Sequence, residues 1–88
     1  KDVENFFENL GENREKTVLG EENTRKALEL GAVNTLFLSA KLSKAIVKEL
    51  KELAVNIGSD VKIISTETTE GEQFFNMGGI GAILRFRI

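Results

Sequence analysis

The chain predicts an α/β sandwich, and two observations carry that prediction. Apolar residues recur at helical spacing in segments that alternate with short apolar runs of strand length, in the order α-β-α-β-α-β-α-β. Glycines at positions 11, 20, 31, 58 and 78 punctuate the junctions between these segments. Strands alternating with helices require crossover connections, which are right-handed in nearly all known sheets. With 88 residues the chain makes one small domain with a modest core.

Each element has its own local reason. Val3, Phe6, Phe7 and Leu10 form one apolar stripe, which predicts a helix over residues 2–10 ended by Gly11 and Asn13. Thr17-Val18-Leu19 is a short strand, and Gly20 breaks it. Glu21 and Glu22 suit the start of a second helix, residues 21–30, because carboxylates oppose the positive end of the helix dipole. Thr35-Leu36-Phe37-Leu38 is mostly apolar, as a central strand covered on both faces should be. Leu42, Ile46, Leu50, Leu53 and Ile57 keep helical spacing over residues 42–57. Residues 61–65 read as a strand. Thr69-Glu70-Gly71-Glu72 has capping-box form, with Thr69 at the N-cap, ahead of a short helix carrying Phe74, Phe75 and Met77. Residues 80–88 read as the final strand, with Ile83, Arg85 and Arg87 on one face and Leu84, Phe86 and Ile88 on the other.

Composition excludes much chemistry. There is no Cys, His, Pro, Trp or Tyr, so the chain has no thiol nucleophile, disulfide, imidazole base or usual zinc ligand set. The absence of Cys fits a reducing cytoplasm. A net charge of −2 argues against broad electrostatic capture of nucleic acid. No apolar run is long enough to span a membrane, and no cofactor or metal is expected.

Two blocks near the end, Gly71-Glu72-Gln73-Phe74 and Gly78-Gly79-Ile80-Gly81-Ala82-Ile83-Leu84-Arg85-Phe86, resemble the C-terminal domain of the archaeal and eukaryotic class 1 peptide-chain release factors. The resemblance extends over nearly the whole chain. It implies an αβα sandwich with a four-stranded mixed sheet, similar to ribosomal proteins that bind kink-turn RNA. It implies that residues 1–88 are the C-terminal piece of a longer release factor, which suits a chain opening at Lys1 in helix-like sequence. It implies a protein–protein docking domain of translation termination and not an enzyme. The partners would be a translational GTPase and a recycling ATPase, with the ribosome met through the full-length factor. The family's GTPase-docking stretch falls on Ile83, Leu84, Arg85, Phe86 and Arg87.

Two alternatives stay open. A Pelota-like ribosome-rescue factor shares the Ala82-Ile83-Leu84-Arg85-Phe86 ending, and a stand-alone kink-turn RNA-binding module shares the fold. Many release factors carry an insertion between the second strand and the long helix, but here Ser39-Ala40-Lys41-Leu42 passes straight through.

The remaining constellations have plainer readings. Gly78-Gly79-Ile80-Gly81 follows a helix and precedes a strand, the reverse of a phosphate-binding loop. It is also not the Gly-Gly-Gln element of peptide release, because Ile80 stands where Gln is needed. A tight bend is the expected use. Lys41, Lys44, Lys48 and Lys51 stripe the long helix, either for phosphate contact or as a solvated face. Gly20 and Lys26 match the kink-turn helix start Gly-x-Asn-Glu-x-x-Lys, but Glu22 occupies the Asn position and would face phosphates, so no direct sequence-specific nucleic-acid binding is expected. The Ser, Thr and Glu residues between Ser65 and Glu72 read as a loop and helix cap.

Overall fold

The computed structural model describes residues 2–88. The stripe of Val3, Phe6 and Phe7 winds into α1 (Asp2–Glu12), which runs through Gly11 and closes with Asn13 N–H donating to Asn9 O. A 3₁₀ turn (Arg14–Lys16) that the pattern did not announce leads into β1 (Thr17–Leu19). Then follow α2 (Glu21–Glu29), β2 (Val33–Ser39), α3 (Lys44–Asn56), β3 (Asp60–Ile64), α4 (Thr69–Asn76) and β4 (Ile80–Leu84).

The four strands form one mixed sheet in the order β1-β4-β2-β3. β4 is antiparallel to both β1 and β2, whereas β3 lies parallel to β2 across the α3 crossover. Strand alternation sends side chains to two cores. On one face Leu36, Leu38, Ile80, Ala82 and Leu84 pack with Ala27 and Leu28 of α2 and Leu50 and Ala54 of α3. On the other, Phe37 and Ile64 meet Val3 and Phe6 of α1 and Phe74 of α4. The fold is therefore the αβα sandwich that the alternating pattern implies, with β2 covered on both faces.

Several boundaries shift from expectation, and three of the shifts have a specific physical cause. α3 begins at Lys44, because Ser43 Oγ accepts from Ile46 N–H and caps the helix there; Leu42 stays in the preceding turn. The cap of α4 is Thr68 and not Thr69: Thr68 Oγ1 accepts from Gly71 N–H at 3.0 Å, which puts Gly71 at N3 and Glu72 outside the capping box. The last strand stops at Leu84 and not at Ile88. Its partner β2 begins at Val33, which registers with Leu84, and a single further backbone bond, from Arg85 N–H to Ala32 O, ends the pairing.

Candidate docking site

The stretch from Ile83 to Arg87 divides into three kinds of residue. Ile83 packs partly buried against the core around Phe6, and Leu84 is buried in the core beneath α2 and α3. These two build the sheet and have little surface left for a partner.

Arg85 holds the end of the strand in place. Its backbone N–H donates to Ala32 O at 2.7 Å. Its Nε and Nη2 donate to Val33 O at 3.0 and 2.7 Å, and Nη2 also donates to Ile57 O at 3.1 Å. Ile57 is the C-terminal cap of α3, where the helix dipole favours a cation. Ser59 Oγ donates to the same Val33 carbonyl at 2.5 Å. One guanidinium thus joins β4, the first residue of β2 and the end of α3. Nothing in the sequence announced this clamp, since Ser59 and Arg85 stand 26 and 52 residues from Val33.

Beyond the clamp the chain is free of the sheet. Phe86 is 47% exposed and Ile88 57% exposed. Arg87 is exposed, with no hydrogen bond or ion pair to another described residue. The result is a short apolar and cationic tip on a firmly anchored strand end, able to bury two apolar side chains and offer one unspent positive charge.

Most of the other motifs are absorbed by the fold. Gly78 and Gly79 take φ values of 122° and 72° where α4 turns into β4. Gly79 N–H donates to Phe74 O, and Gly79 O accepts from Ser39 N–H. Ile80 is 3% exposed, so position 80 faces the core and not a substrate. The start of α2 is acidic and exposed at Glu21 and Glu22, while Asn23 Nδ2 donates back to Leu19 O. Arg25 is held between Glu49 at 2.6 Å and Glu21 at 2.8 Å. The hydrogen bond it donates to Glu49, then that to Glu21, raises its pKa above the ordinary arginine value, so it stays charged and engaged. Ser65 Oγ accepts from Glu67 N–H, a turn closed by its own side chain. The four-lysine stripe is broken: Lys41 Nζ sits 5.4 Å from the centre of the Phe75 ring, apart from the three lysines on α3.

The whole chain, residues 1–88, matches the family described as eRF1 domain 3. It is 34% identical over 87 residues to a Pelota homolog of Methanobrevibacter smithii, covering 98% of this chain and 25% of that protein. It is 31% identical over 133 aligned residues to peptide chain release factor subunit 1 of Thermococcus onnurineus, again covering 98% of this chain but 32% of the relative. The chain thus spans a quarter to a third of the length of these curated relatives. Among solved structures, the C-terminal domain of a peptide chain release factor from Methanosarcina mazei superposes with a TM-score of 0.88 at 27% identity, covering 97% of this chain and 80% of that one. Dom34 of S. cerevisiae, a translation termination-like factor interacting with Hbs1, gives 0.82 at 28% identity over 98% of this chain and 26% of its own. Archaeal Pelota, bound to the ribosome with ABCE1, gives 0.78 at 31% identity over 98% of this chain and 25% of its own.

Proposed function

Because the chain belongs to the eRF1 domain 3 family, we propose that it is the docking domain of a translation termination or ribosome-rescue factor, and that it carries partners and no chemical step. The observation that carries this reading is the tip at Phe86 and Arg87: exposed apolar surface, and a cation unpaired among the described residues, on an immobilised strand end. Relatives of this domain interact with Hbs1 or sit on the ribosome with ABCE1, which supports a translational GTPase and a recycling ATPase as the partner classes.

Within that reading, one observation favours the rescue-factor form. The Pelota homolog aligns over 87 positions, about the length of this chain, whereas the release factor needs 133. At least 133 − 88 = 45 aligned positions of the release factor therefore have no counterpart here. The unbroken turn from Ser39 to Leu42 is where such a segment would enter. The blocks that point toward release factors, around Gly71 and Gly78–Gly81, are explained by packing and so discriminate less between the two.

Calorimetric titration with a GTP-bound translational GTPase tests the proposal. Phe86→Ala combined with Arg87→Glu should weaken binding at least tenfold, about 1.4 kcal/mol, with thermal unfolding unchanged. Undiminished binding by this variant would move the docking surface elsewhere. Titration against the GTPases of the termination and rescue pathways side by side separates the two forms by which one is bound more tightly.

A further inference from the structure

We infer that the outer edge of β3 is a second docking site, which takes an extended acidic segment of a protein partner by strand addition. β3 pairs with β2 alone and stands at the edge of the sheet. Ile64 O accepts from Ala40 N–H on the β2 side. Because backbone groups alternate sides along a strand, the N–H and C=O of Val61 and Ile63 point away from β2. Among the described residues, nothing accepts from or donates to them outside the β2 ladder.

The surface beside this edge is built in two parts. Ile63 is 49% exposed and shares a groove with Leu42 and Val47, which are only partly buried. Lys44, Lys48 and Lys51 rim the same groove from α3. Their i, i+4, i+7 spacing keeps all three on one side of the helix. None of the three makes an ion pair with another described residue. Lys62, on the opposite face of the same strand, is exposed as well. A strand added at this edge would satisfy the outward backbone groups of Val61 and Ile63. It would lay an apolar side chain over Ile63 and meet lysines with its carboxylates.

These features select a protein segment over RNA. The floor is aliphatic, and no aromatic ring lines the groove for a base to stack on. The nearby Phe75 ring is covered by Lys41. The site is also independent of the tip at Phe86. The groove lies along the N-terminal half of α3, whereas Arg85 anchors the tip at Ile57, beyond the helix's C-terminal end. Two partners can therefore be held at once without competing for surface.

The test uses a fluorescein-labelled ten-residue peptide of repeating Glu-Thr-Val-Thr, which puts Glu and Val on one strand face, added to the chain while anisotropy and amide hydrogen exchange are followed. Saturable binding is expected, with exchange slowed at Val61 and Ile63. Lys48→Glu with Lys51→Glu should weaken it at least tenfold, as should replacing each Glu of the peptide by Gln. Ile63→Lys tests the floor separately. If charge reversal lowers the melting temperature, Lys48→Gln with Lys51→Gln carries the same test. Unchanged exchange at Val61 and Ile63 would overturn the proposal. So would displacement of the peptide by a ten-nucleotide single-stranded RNA at equal or lower concentration, because the groove would then be a phosphate site. Binding by the Phe86→Ala, Arg87→Glu variant should be unaffected, which separates this site from the tip.

Discussion

The ring of Phe6 lies in the space that a side chain at position 81 would need: a Cβ on Gly81 would fall 2.6 Å from Phe6 Cζ and 2.7 Å from Cε1. Phe6 is fully buried and joins three elements, with its ring centre 5.3 Å from Phe37 of β2 and 5.2 Å from Phe74 of α4. The absent side chain in β4 is thus what lets α1 press onto the sheet.

Gly81→Ala should cost about 1–3 kcal/mol in urea denaturation, the usual penalty for overpacking a core. Phe6→Leu alone should also destabilise, by cavity formation. The double variant should lose less than the sum of the two, because the smaller side chain vacates the space the methyl needs. Strict additivity would show that the two residues do not share that space.

Gly71 is a second close approach, of helix to loop. A Cβ there would overlap the Ser65 carbonyl oxygen, which is backbone and cannot rotate away. Gly71→Ala should therefore destabilise by about 3 kcal/mol, at the upper end of overpacking penalties. Thermal unfolding measures it; a loss below about 0.5 kcal/mol would mean that the loop simply moves.

Thr68 and Thr69 differ in role although they are neighbours of one type. Thr68→Ala removes the cap of α4 and should cost about 1 kcal/mol. Thr69→Ala, one residue inside the helix, should stay within about 0.5 kcal/mol. Equal losses on chemical denaturation would contradict the assigned cap.

Arg85 should behave as a structural residue. Arg85→Met keeps much of the stem but removes the donors to Val33 and Ile57, and should lower stability by about 1–2 kcal/mol. Arg87→Met should change it by less than about 0.5 kcal/mol. If Arg85→Met left stability intact while abolishing partner binding, the clamp would be dispensable and the guanidinium itself the contact.

The pattern of the chain determined the number, kind and order of the principal elements. Helical and strand spacing are local properties, and Val3-Phe6-Phe7-Leu10 or Thr35 to Leu38 state them within ten residues. Negative evidence was equally local: without Cys or His, whole classes of mechanism are absent from the start. The bend at Gly78 and Gly79 was legible, but the reasons for Gly71 and Gly81 were not. They lie in Ser65 and Phe6, and the second is 75 positions from Gly81 along the chain. The candidate site was legible only as a stretch. Period two treated Arg85 and Arg87 as equivalent, one strand face bearing both. Tertiary structure separated them, because β2 begins at Val33 and leaves Phe86 to Ile88 without a ladder, while the carbonyls of Val33 and Ile57 converge on one guanidinium. Which backbone groups remain unpaired at a strand end or a sheet edge depends on where other strands start and stop. That is a property of the assembled sheet, and no single segment contains it.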